Sequence, residues 1–406
     1  MKAFYHLLGV SMLSINIPGD LPIYPLLFLL SSGCAVLYCV RRRCGLVAET
    51  GGIVLASTLF ILNAVIIHLA CFEESSAYQL SKLVVNLVFL SSSCCLLFAL
   101  RRDSVRMVSI LAQYLLVGIV LSALQVLLLV YSNSLWLMPV SGVTSSIDAY
   151  NLFAKSTIYF GTDNKNIFST RILFFYLSLV LFFRVNGISK NAFIVATVAT
   201  VFCIIYLQSR TGLLALCAFG AVLVGNKLRI VIVRGGALSA ILITVLIPLA
   251  IATGYLTLVS IEYFLRGTSI NELSYVSAGA DGDGLKARLI MWIVLFQNLD
   301  QFNMVFGNGL FHWSYTGLTR EGNLHNVFLN TWIDLGLVGL AVYISLLWKV
   351  FSVIRPMLLA ILAALFIVVN SHYLGYDNDI VILLLMYFVY SRITSINNKK
   401  LCVLHD

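Results

Sequence analysis

The chain has 406 residues, of which 60% are hydrophobic and 11% charged, with a formal net charge of +9 and a mean hydropathy of +0.98. Soluble domains carry roughly a quarter charged residues, so the composition excludes an ordinary soluble protein and points to a polytopic membrane protein. The positive balance does not describe a nucleic-acid surface, because it is broken into small clusters, each beside an apolar run.

Apolar stretches near ~20 residues, each long enough to cross ~30 Å of hydrocarbon, recur from end to end. In chain order they read as about twelve transmembrane helices: 4–17, 22–40, 51–71, 81–100, 107–131, 171–183, 192–208, 212–225, 235–258, 325–348, 356–372 and 379–391. The first has no small-residue cleavage site after it and reads as a span rather than a signal peptide. The basic clusters Arg41–Arg43, Arg101/Arg102/Arg106, Arg184/Lys190, Lys227/Arg229/Arg234, Lys349/Arg355 and Lys399/Lys400 then all fall on one side. That is the positive-inside pattern, and it puts both termini in the cytoplasm.

The predicted fold is therefore all-α, one integral membrane domain over residues 1–406. Two polar stretches stand on the opposite, periplasmic side: a first loop at 132–170 and a large loop at 261–324. Long loops without a spanning pattern are usually functional or disordered. Within the large loop, Leu285–Leu299 has apolar residues at helical spacing (Leu289, Ile290, Trp292, Ile293, Phe296) and predicts a short amphipathic helix at the interface. The Gly-rich stretch Ala278–Gly284 before it and Phe306–Leu310 after it read as turns.

The nine cysteines are scattered, mostly within spans, with no CxxC or Cys/His spacing; this predicts neither a disulfide framework nor a zinc site. Asp281-Gly282-Asp283 has the form of a DxD metal motif but sits among glycines without a further carboxylate pattern, so no metal is expected. His312 has no recognisable context, and His68 and His372 near the outer ends of spans read as packing or interface groups. Neither a GxSxG elbow, a P-loop nor a dinucleotide fingerprint is present. A hydrolase or an ATP-driven pump thus has no support, and no cofactor is expected.

Three outer features can carry chemistry. The first is Gln208-Ser209-Arg210-Thr211-Gly212, where an arginine at the outer end of a span opposes the charge bias; a snorkelling arginine is the structural alternative. A planar, permanently charged guanidinium suits phosphate. The second is Lys286-Ala287-Arg288 at the start of the interfacial helix, followed by Phe306-Gly307-Asn308-Gly309. The third is His325-Asn326 at the head of a span that continues to Asp334, Gly336 and Gly339. Histidine is the usual general base near neutral pH, and the glycines permit close helix packing.

In this order, Ser209-Arg210-Thr211-Gly212, then Arg288 with Trp292 and Phe306-Gly307-Asn308-Gly309, then His325-Asn326 leading to Asp334-Leu335-Gly336-Leu337-Val338-Gly339, the motifs resemble the O-antigen ligase/polymerase superfamily of bacterial inner-membrane glycosyltransferases. The resemblance covers about residues 195–345. It implies metal-independent, inverting transfer of glycan from undecaprenyl diphosphate at the periplasmic face. Arg210 and Arg288 would bind the diphosphate, and His325 would activate the acceptor hydroxyl. Arg266, Arg320 and Asn326 join the expected substrate-binding set. Many members carry Glu where this chain has Asp334, an acid read here as a helix-packing feature.

The partners implied are an undecaprenyl-diphosphate-linked oligosaccharide, membrane lipid and a candidate chain-length regulator, with no nucleic acid. Transfer to a lipid-linked repeat unit makes the chain a polymerase; transfer to the lipid A–core would make it a ligase. A transporter or flippase is the alternative class. It calls for ionisable residues inside spans near the midplane, or for broken spans in related halves. The span interiors read as nearly free of charge, which favours interfacial chemistry.

Overall fold

The computed structural model describes residues 2–15, 23–42, 48–99, 104–132, 165–185, 187–207, 209–233, 301–312, 326–351, 356–369 and 374–403. Among these residues the structure is helical and contains no strand. The helices are α1 (Lys2–Ser14), α2 (Tyr24–Arg41), α3 (Ala48–Ala70), α4 (Ala77–Ala99), α5 (Ser104–Ser132), α6 (Lys165–Phe183), α7 (Lys190–Tyr206), α8 (Arg210–Val233), α9 (Gln301–Phe306), α10 (Val327–Val350), α11 (Pro356–Val368) and α12 (Asn378–Val403). A single 3₁₀ turn, Phe72–Glu74, joins α3 to α4.

Every expected span except 235–258, which lies outside the described residues, falls on one of these helices. Five are long and apolar enough to cross a membrane: Tyr24–Arg41, Thr50–Ala70, Ala77–Ala99, Arg106–Leu128 and Val327–Val350. Shorter apolar helices pack among them. The outward faces carry Leu26, Leu37, Leu69, Trp348 and Phe366 at high exposure, as a lipid-facing belt would. Inside, α12 is the central element: residues 378–391 are buried throughout, and α4, α6 and α10 pack against it.

The boundary of the first polar loop moves. Helix α6 begins at Lys165, not at 171, because Phe168, Ser169 and Thr170 are fully buried and continue the apolar face. Residues expected at the end of the loop thereby become the first turns of a helix.

Hydrogen bonds fix which helix ends lie together. Arg171 near the start of α6 reaches Ile15 O after α1 and Asp379 at the start of α12. Asn86 in the first half of α4 donates to Tyr376 O at 2.7 Å, just before α12. Ser169 of α6 donates to Ser209 Oγ, before α8, at 2.5 Å. Val327 N–H opens α10 by donating to Val369 O at the end of α11. Ser76 N–H, before α4, donates to Leu310 O in the segment after α9. One end of the bundle thus collects the starts of α4, α6, α8, α10 and α12 with the ends of α1, α3 and α11.

Candidate functional site

The first motif forms the start of α8. Ser209 accepts a hydrogen bond from Gly212 N–H at 3.1 Å, which satisfies one of the donors that a helix start leaves unpaired. A side chain at Gly212 would stand 3.0 Å from Ser169 Oγ, so glycine is what lets α6 approach closely enough for the Ser169–Ser209 hydrogen bond. Arg210 occupies the first helical position, at the end of the bundle defined above. The motif is a cap, an arginine and a contact point in four residues.

The third motif opens α10. Asn326 has extended backbone (φ −145, ψ 117), and its Oδ1 accepts from Leu329 N–H at 2.9 Å. The expected substrate-binding Asn326 is therefore the N-cap of the helix, and its side-chain oxygen has a structural duty. His325 comes immediately before it. His325, Arg288, Arg266, Arg320, the predicted helix Leu285–Leu299, the Asp281/Asp283 pair and His372 lie outside the described residues.

The second and third motifs interlock. Helix α10 is broken at Gly336, whose backbone (φ 70, ψ −178) lies in a region that side chains exclude. The break frees the carbonyls of Ile333, Asp334 and Leu335. Each finds a donor: Asn308 N–H and Nδ2 both reach Ile333 O at 2.9 Å, Gly309 N–H reaches Asp334 O at 3.1 Å, and Asn63 Nδ2 of α3 reaches Leu335 O at 3.1 Å. Unpaired backbone groups at membrane depth cost several kcal/mol each, so the pairing is what makes the break tolerable. Gly307 (φ 90) lies so close to the break that a Cβ would stand 2.5 Å from Asp334 O.

Phe306–Leu310 is thus not the loose turn its glycines suggest. Residues 307–310 are buried and form a strap across α10. The sequence misleads here because the same glycines that mark flexible turns also permit the closest backbone contacts. The Asp334 side chain is buried and accepts hydrogen bonds from the backbone N–H groups of Phe311 and His312. Asp334 holds the far end of the strap. Gly339 lies against Asn63 of α3, as close packing requires. His68 bonds Ser75 Oγ at 2.8 Å and is a packing group.

The charges that stand at the edges of the expected spans are paired across helices. Arg171 and Asp379 form a buried pair, Nε to Oδ1 at 2.9 Å, between α6 and α12. Lys82 of α4 pairs with Asp377. Each ion was legible as a lone charge at the edge of an apolar run. Their pairing was not, because the partners lie on different helices. Among the described residues no group of three or more His, Cys, Asp or Glu side chains could hold a metal ion.

The structure therefore brings the start of α8, the start of α10 and the strap to one end of the bundle. Helix α11 packs along α8, and its end meets the start of α10. No curated protein matches the chain. The family described as O-antigen ligase matches residues 195–344, from within α7 to within α10, just over a third of the chain. Its span takes in all three motifs, so this segment is similar to the O-antigen ligase family, which supports the resemblance drawn from the motifs.

Proposed function

We propose that the chain polymerises O-antigen or a related surface polysaccharide. It would transfer glycan from an undecaprenyl diphosphate donor to a lipid-linked repeat unit at the periplasmic face of the inner membrane. The observation that carries this reading is the matched segment 195–344, with the starts of α8 and α10 at one end of the bundle. Attack by a sugar hydroxyl on C1 expels a diphosphate that gains negative charge. Guanidinium groups aimed at that charge, here Arg210 and Arg288, lower the barrier without a metal. His325 would remove the hydroxyl proton, and direct displacement inverts the anomeric centre. The donor bond is already activated, so no ATP is needed.

The description of the matched family favours one further reading, transfer to the lipid A–core. The polymerase reading is preferred because the resemblance outside the three motifs is thin, and polymerases diverge with their sugars. Two features of the structure bear on the transporter reading, buried charges and a broken helix. Both are locally satisfied, however: the charges are paired near one end of the bundle, and the strap fills the break.

The test is a transfer assay with purified protein, a lipid-linked donor, and either a lipid-linked repeat unit or lipid A–core as acceptor. Polymer on the repeat unit is expected, and product on the lipid A–core alone would make the chain a ligase. Activity should survive EDTA. Abolition by EDTA with recovery on magnesium or manganese would redirect attention to Asp281 and Asp283.

Arg288→Lys is expected to be impaired in the same assay while the protein stays folded, since lysine keeps the charge but loses the bidentate fork. Wild-type turnover in both Arg210→Ala and Arg288→Ala would remove the anion site.

A further inference from the structure

The break at Gly336 divides α10 into two parts, and the first part, Val327–Leu335, is held by neighbours rather than by its own continuation. Its last carbonyls are capped by Asn308, Gly309 and Asn63. Trp332 Nε1 donates to Met304 O of α9 at 2.9 Å. The strap is itself anchored on its far side: Leu310 N–H donates to Ser75 Oγ at 2.9 Å, and Ser76 N–H donates to Leu310 O at 2.9 Å. Ser75 Oγ in turn bonds His68 Nδ1. Gly309 is pressed against this turn, where a Cβ would lie 2.9 Å from Ser75 Cβ and 3.2 Å from Cys71 Cβ.

An intact helix would carry its orientation through continuous backbone bonds. Here those bonds are interrupted, and the angle of the first part is set from outside. Beside Asn308 and Gly309, Asn63 acts on it directly and His68, Ser75 and Ser76 act through the strap; these four come from α3 and the α3–α4 turn, far outside the segment 195–344.

We propose that Asn308, Asn63 and Ser75 are positioning residues: they clamp the first part of α10 and so fix the place of its head, where Asn326, the residue after His325 in sequence, caps the helix. The proposal deepens the glycan-transfer reading and rests on it. It gives the N-terminal third of the chain a task in catalysis without contact with substrate. Displacing a reacting group by about 1 Å can cost about 10²-fold in rate, so a clamp of four hydrogen bonds onto three backbone carbonyls matters for turnover before it matters for binding.

The test uses the full chain in detergent or nanodiscs with Ser75→Ala and Asn308→Ala, and two independent readouts. Hydrogen exchange of the peptide 305–312 should become about tenfold faster in each variant, because a buried donor or acceptor is left unpaired. Turnover should fall by about 10²-fold, with KM for the lipid-linked donor within about threefold of wild type and the fraction of folded protein unchanged. If Asn308→Ala fails to fold, Ser75→Ala, which leaves α10 and the strap sequence intact, decides alone. Faster exchange with unchanged turnover overturns the proposal, as does unchanged exchange, or a fall in turnover that only tracks loss of folded protein. A wild-type protein without any transfer activity would sink the functional reading instead, and the exchange data would still decide whether α3 and α4 hold the strap.

Discussion

Replacing His325 by alanine is expected to lower turnover by ~10²–10⁴ while leaving donor binding nearly intact. The residue stands one position before Asn326, whose side chain caps α10 by accepting from Leu329 N–H. The cap separates two jobs that the sequence alone leaves merged: Asn326 starts the helix, and the imidazole before it is relieved of that duty. In the proposed reaction the diphosphate is held by Arg210 and Arg288, so removing the base should spare affinity and slow the chemical step. His325→Gln keeps hydrogen-bonding capacity but has no basicity, and it should not rescue. The measurement pairs a purified transfer assay with donor binding. Normal turnover in His325→Gln would remove the histidine from the mechanism and leave Glu321 as the next base to test.

The sequence was most legible where one segment decides its own structure. Long apolar runs with basic flanks gave the helices, because hydropathy and backbone satisfaction act within each run, although α8 and α12 continue to Val233 and Val403, well past the expected 225 and 391. The Ser209 cap and the Asn326 cap are also local, each a side chain bonding a backbone N–H three residues ahead. What could not be read was contact between distant segments. Gly307 and Gly309 read as flexibility, and Gly336 as helix packing, since the sequence does not say that the strap closes on the break. Asn63 is an unremarkable polar residue in an apolar helix until Leu335 O is placed 3.1 Å away. The same holds for charge. Arg171 and Asp379 are 208 positions apart, and each looked like an isolated charge at a span edge.

That pair supplies the largest expected effect on stability. Arg171 and Asp379 have side chains only 7% and 2% exposed, so neither ion can fall back on water. Arg171 Nη1 also donates to Ile15 O at 2.9 Å, which ties α1 into the same knot. Removing one partner leaves the other charge buried and uncompensated, a loss of about 3–5 kcal/mol in comparable sites. Arg171→Ala and Asp379→Asn are therefore each expected to lower the unfolding midpoint in detergent sharply, with loss of the α6–α12 contact. The expected recovery is asymmetric. A double replacement by apolar residues of similar volume, Arg171→Met with Asp379→Leu, removes both desolvation costs and should restore most of the stability, although Ile15 O loses its donor. A thermal-unfolding series on the two single variants and the double variant reads this coupling directly. Additive losses in the double variant would show that the two side chains act separately, and that the ion pair is not what joins α6 to α12.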